Sequence, residues 1–172
     1  TKTVLFTLLL ALFSSLAQAG GSAPPATCYP LAHGEDGQGS TNSLHLPHFH
    51  TSNLWRGFIY VTNTSDEYLN IKLKFKNDDG TTYLPYSYDL GGQFNSGNSP
   101  FALMAGGAIL KPGRSANLVI YDDNYTGPMN GTISWQADAC IGEALVVSFR
   151  NQWSDSNRLG TTLMLLNDGQ PF

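Results

Sequence analysis

Charge is scarce in this chain: Asp, Glu, Lys and Arg make up 13% of its 172 residues. Nine basic residues stand against 13 acidic ones, a formal charge of −4, which excludes an electrostatic affinity for nucleic acid or an anionic lipid surface. The hydrophobic fraction is an ordinary 41%, so the low charge signals neither disorder nor a coiled coil. No apolar run reaches the ~20 residues a spanning helix needs. Cysteine occurs twice and never as Cys-x-x-Cys, which removes a thioredoxin-like redox motif and a zinc ribbon. Glutamate is limited to Glu35, Glu67 and Glu143. There is no Gly-x-Ser-x-Gly elbow, no phosphate loop and no dinucleotide fingerprint. The chain is therefore expected to be no enzyme and to need no cofactor. A hydrolase is the least favoured reading, because nothing selects a nucleophile with its base or an opposed carboxylate pair.

Compartment is the first thing the sequence does offer. Lys2 precedes the apolar run Val4 to Phe13, and Ala17-Gln18-Ala19 supplies a small-x-small cleavage site. Residues 1–19 read as a signal peptide, and residues 20–172 as the exported, mature protein. A periplasmic, extracellular or cell-surface location follows, with no membrane span in the mature chain. In an oxidising compartment Cys28 and Cys140 are expected to form one disulfide. That bridge closes a loop worth about 4–5 kcal/mol of chain entropy.

Gly and Pro together contribute 27 residues, which suits many turns between short strands. Residues 20–42 hold eight of them and lack apolar periodicity, so they read as a flexible Gly/Pro-rich arm. Strands begin at residue 43. The segment Leu44 to His50 contains Pro47, which has no backbone donor and points to an edge strand or a strand entrance. Trp55 to Thr62 is β-branched and aromatic. Leu69, Ile71, Leu73 and Phe75 alternate with Asn70, Lys72, Lys74 and Lys76, the period of a sheet packed on one face. Asp79-Gly80 predicts a tight hairpin. Residues 85–107 read as a long loop carrying Tyr86, Tyr88, Phe94 and Phe101. Strands resume over 108–110, 115–121, 131–137, 143–151 and 158–166. The pattern predicts an all-β, antiparallel sandwich of about eight or nine strands over residues 43–172, with the extended N-terminal arm.

The order Leu46-Pro47-His48-Phe49, Thr62-Asn63-Thr64-Ser65, Leu73-Lys74-Phe75 into Asp79-Gly80-Thr81, Leu110 to Ser115, Gly131 to Ser134 and Ala144 to Phe149 is similar to immunoglobulin-like β-sandwich modules of secreted and surface proteins of bacteria. The resemblance covers residues 44–166. It implies adhesion, presentation or structure, and no shared catalytic residues. The long 85–107 loop and the Cys28 arm depart from it.

Two clusters are candidates for binding. His45, His48 and His50 lie close in sequence; in an extended segment His48 and His50 share a face, with His45 on the other. A metal there needs a further ligand, from His33, Glu35 or Asp36. Trp153 and the loop residues Tyr86, Tyr88 and Phe94 are candidate ligand contacts, through stacking on a sugar or anchoring a protein. Trp135 alternates with Ile133 and is expected in the core. Acidic pairs at Asp78-Asp79 and Asp122-Asp123 read as turn chemistry rather than as Ca²⁺ ligands. The favoured function is a non-enzymatic adhesion or assembly module that meets a protein partner, or itself, through strand edges and the arm. A carbohydrate-binding module is the alternative.

Overall fold

The computed structural model describes residues 25–31, 37–52, 54–83, 87–92, 106–121, 127–155 and 159–172. Among these, eleven strands pair throughout in antiparallel fashion. In chain order they are β1 (Thr27–Pro30), β2 (Gln38–Thr51), β3 (Trp55–Asn63), β4 (Leu69–Asn77), β5 (Thr82–Tyr83), β6 (Ser87–Gly92), β7 (Ala108–Leu110), β8 (Ser115–Tyr121), β9 (Gly127–Ala137), β10 (Leu145–Ser154) and β11 (Leu159–Leu165). A 3-10 turn at Leu166–Gly169 follows β11. One sheet is ordered β1-β2-β9-β4, with β5 and β7 pairing to successive parts of the outer edge of β4. The other is ordered β11-β10-β3-β8-β6. Together they make the two-layer sandwich that the alternation in residues 69–76 predicts.

That alternation sets the inner faces. Leu69, Ile71, Leu73 and Phe75 of β4 are buried, and their lysine neighbours point outward. Met129, Ile133 and Trp135 of β9 lie on the same inner face. Opposite them, Ile59, Val61, Leu118, Ile120, Leu145, Val147 and Phe149 close the core from the second sheet. Gly57 permits the tight end of this packing. A Cβ at Gly57 would lie 3.0 Å from the Phe49 ring, which itself sits 4.9 Å from the Phe149 ring. The Lys111-Pro112-Gly113 turn forms as the residue types require: Gly113 has φ 63° and Arg114 N–H donates to the Lys111 carbonyl at 3.2 Å.

Four features differ from the sequence expectations. Part of the arm is sheet: β1 pairs with β2, and β2 begins at Gln38 rather than at residue 43. β1 (Thr-Cys-Tyr-Pro) and the polar start of β2 (Gln-Gly-Ser-Thr-Asn-Ser) carry no apolar alternation; they are held by main-chain pairing and the cystine. Part of the supposed long loop is also strand, since β6 pairs with β8 over Ser87–Gly92. Residues 85–86 and 93–105 of it lie outside the described residues. The strand count rises to eleven through these two additions, β1 and β6. Finally, the β2–β9 register shifts between Leu46 and Phe49, so Pro47 and His48 form a bulge. The bulge reverses the side-chain parity along β2. Leu46 and Phe49 both turn inward, and His45, expected on the opposite face from His50, joins it on the solvent side.

Candidate functional site

Main-chain geometry at one end of the sandwich assembles a row of rings. Ser52 and Trp55 exchange main-chain hydrogen bonds of 3.2 and 3.3 Å, and Ser52 Oγ accepts from the N–H groups of Leu54 and Trp55 at 3.1 Å. The buried Asn151 amide donates to the carbonyls of His50 at 3.0 Å and Arg56 at 3.2 Å, tying β10 to the ends of both β2 and β3. This clamp brings His50 within 6.1 Å of Trp55, ring to ring. Trp55 stands opposite Trp153 in the β3–β10 ladder, 6.5 Å away, and His48 lies 6.5 Å from His50. A cleft of about 150 Å³ lined by Leu54, Arg56, Gln152 and Ser154 opens beside the row.

Trp153 is therefore a half-buried strand residue rather than one beyond the strand end. Its partner Trp55 was not singled out in the sequence, because only the register reveals that the two face each other. His45, His48 and His50 are all exposed. No group of three or more His, Cys, Asp or Glu able to hold a metal exists among the described residues, and His33, Glu35 and Asp36 lie outside them. Tyr86 and Phe94 also lie outside the described residues. Tyr88 is in β6 opposite Ile120; its side chain is not among those described. The structure thus sets Trp153 in one row with Trp55, His50 and His48.

At the far edge of the other sheet, Cys28 and Cys140 form the expected disulfide, with their Cα atoms 5.4 Å apart. The bridge pins β1, none of whose four side chains is fully buried. Tyr29 Oη donates to the Ala137 carbonyl at 3.0 Å and accepts from the Gln136 amide at 2.7 Å. A broad cleft of about 660 Å³ lies next to Cys140, with Leu31, Gln38, Glu67 and Asp138 on its walls. The other acidic feature, Asp79, behaves as turn chemistry: its carboxylate accepts from Thr81 N–H at 2.8 Å and Thr81 Oγ1 at 2.7 Å. Those bonds hold the Asp79 carboxyl below the usual carboxylate range, the side-chain bond from Thr81 contributing most.

The outward face of the five-stranded sheet is the most unusual surface. Residues opposite one another in a ladder share a face. Leu165, Leu163 and Leu159 on β11 thus align with Ser148, Arg150 and Ser154 on β10. Arg150 in turn aligns with Phe58 on β3. The Arg150 guanidinium carbon lies 4.0 Å over the Phe58 ring and 5.8 Å from that of Tyr60. Phe58 and Tyr60 are stacked with an interplanar angle of 7°. Leu159, Leu163 and Leu165 are 68, 62 and 59% exposed. They account for three of the five exposed large hydrophobic residues among those described, and all three sit on a strand whose outer edge pairs with no other described strand. The sequence marks this strand but not its orientation, since an apolar residue on an edge strand need not point inward.

No family model matches the chain, and no curated protein matches it. Among solved structures, it is similar to one described as manganese lipoxygenase of Gaeumannomyces graminis with part of zonadhesin of Komagataella pastoris, at 10% identity and a TM-score of 0.36. That match covers 88% of this chain and 47% of the other, so this chain spans less than half its length. A likeness this distant carries no argument about activity.

Proposed function

We propose that this chain is an exported, non-enzymatic binding or structural module, working in adhesion or assembly at the cell surface or in the periplasm. The single observation that carries the reading is β11: a seven-residue edge strand with three leucines on its solvent side. Contiguous exposed apolar surface on a free edge is costly in an isolated molecule and suits a surface that meets a partner. The disulfide supports an oxidising compartment, and no helix among the described residues is long and apolar enough to cross a membrane. Kinship with the immunoglobulin-like modules of bacterial surface proteins belongs to the same proposal and rests on the segment order in the sequence.

Fractionation of the native cell tests this. The protein is expected in the envelope or culture fluid, processed after Ala19, and recovered in an assembly or on a surface. Retention in the cytoplasm with residues 1–19 intact would overturn the reading.

The facing pair Trp55 and Trp153 favours a second reading, carbohydrate binding, because two indoles beside a polar cleft suit a sugar face. On that reading, tryptophan emission shifts when a matching glycan is added and the shift disappears in Trp153→Ala. Emission unchanged across a broad glycan panel removes it.

A further inference from the structure

We propose that β11 is the pairing edge for a second copy of this chain, in an antiparallel ladder centred on Thr162 that joins two five-stranded sheets into one. This deepens the assembly reading and rests on it.

The sheet edges differ in how they are protected. β1 has four residues, ends in Pro30 and is fastened by the Cys28–Cys140 bridge. The outer side of β4 is covered piecewise by the two residues of β5 and the three of β7. β6 carries Asp89 and the pair Gly91-Gly92. β11 has none of these devices. Its sequence is Leu-Gly-Thr-Thr-Leu-Met-Leu, with no charge and no proline. Its register against β10 runs from Leu159 to Leu165 without a shift, so no bulge twists the edge away. Natural edge strands are normally guarded by short length, lysine, proline or bulges. An unguarded regular edge is the arrangement expected of a strand whose second partner is another chain.

Symmetry selects the occupant. A twofold axis normal to the sheet pairs antiparallel strands with matching faces. Centred on Thr162, it sets Thr162 against its own copy, Thr161 against the partner's Leu163, and Leu159 against the partner's Leu165. The outward leucines of both copies then lie on one side and flank each other at both ends of the ladder. Residues 159–167 contain no ionisable side chain, so two copies of a chain with net charge −4 meet here without local repulsion. A seven-residue edge falls below the ~1,200 Å² of standard interfaces, which makes the pairing weak and concentration-dependent, with a Kd of about 1 μM or weaker.

Sedimentation analysis of the mature protein from about 1 μM to 1 mM tests the pairing, with near-ultraviolet dichroism to verify that each variant is folded. Thr162→Lys sets two lysines directly opposite each other at the twofold axis. Leu165→Lys is a second, outward-facing substitution that leaves the inner face untouched. The expected result is a dimer that each variant weakens at least about tenfold, a change of about 1.4 kcal/mol. In Thr162→Cys, oxidation is expected to cross-link the dimer through residue 162 while Cys28–Cys140 stays intact. A monomer at every concentration overturns the proposal, as does a dimer that is indifferent to both lysine variants. If a monomeric protein still associates with the envelope, the β11 pairing fails while the adhesion reading stands. If it is monomeric and cytoplasmic, both fail.

Discussion

Arg150 stands directly across the β10–β11 ladder from Leu163, and both occupy the outward face of the five-stranded sheet. The guanidinium lies over Phe58, while its buried Nε has no hydrogen-bond partner among the described residues. Two effects of similar size therefore oppose each other. The cation–π contact stabilises by about 0.5–2 kcal/mol. A buried donor without an acceptor costs about 1–3 kcal/mol.

Replacing Arg150 by Met keeps the aliphatic stem and removes both effects. The expected change in unfolding free energy is within about 1 kcal/mol, of either sign, measured by urea denaturation. A loss above about 3 kcal/mol would show that the guanidinium holds the sheet together rather than covering it.

Asn63 is a different kind of polar residue. It is fully buried, and its amide donates to the carbonyls of Glu67 at 2.7 Å and Leu110 at 3.1 Å. Its Oδ1 accepts from Ser65 N–H at 3.0 Å and Ser65 Oγ at 2.7 Å. One side chain thus ties the turn after β3 to the strand β7. Asn63→Ala leaves the Leu110 carbonyl without this donor, and a loss of about 2–4 kcal/mol is expected in equilibrium unfolding. A loss below about 1 kcal/mol would mean that water or a shifted turn replaces the amide.

How much of this was legible in the sequence depends on what holds each strand. β4 was readable because Leu69, Ile71, Leu73 and Phe75 face a core and their lysine neighbours face water. Trp135 was readable as core through its alternation with Ile133, and both are buried. β1 and the start of β2 were not readable, because a cystine and main-chain bonds hold Thr27–Pro30 with no apolar period. The bulge at Pro47 and His48 was also invisible: a single inserted residue reverses every later side chain, and no residue type encodes that parity. The leucines of β11 carry the same signal as core leucines, and only the position of the strand at a sheet edge separates the two.

The β4–β5 hairpin predicts a pH effect with a definite sign. Hydrogen bonds from Thr81 lower the folded-state pKa of Asp79 below its unfolded value. Its contribution to stability is therefore complete above the unfolded pKa of about 4 and is lost as pH falls through the folded value. Asp79→Asn removes the titration. Between about pH 5 and pH 2 the unfolding midpoint of the wild type should fall more steeply than that of the variant. Parallel slopes would contradict the role assigned to the turn. The site is exposed, so the difference in slope should be small.

The disulfide makes the sharpest separation between folded-state and unfolded-state effects. Cys28 and Cys140 are 112 residues apart, which gives about 4–5 kcal/mol in the chain-entropy model. On the folded side the bridge fastens only β1, which places no fully buried side chain in the core. The double variant Cys28→Ser, Cys140→Ser is therefore expected to fold with an unchanged core and to lose about 2–5 kcal/mol in denaturant unfolding. Hydrogen exchange should locate the change. Protection should fall at Thr27–Pro30 and at the facing residues Gln38–Thr41, and persist in β3, β4, β9 and β10. If protection in β1 survives, the bonds joining Tyr29 to Ala137 and Gln136 suffice to hold the strand, and the bridge acts only on the unfolded chain. If instead protection collapses across β9, the cystine is part of what aligns the six-stranded sheet, and its effect on the folded side reaches beyond β1.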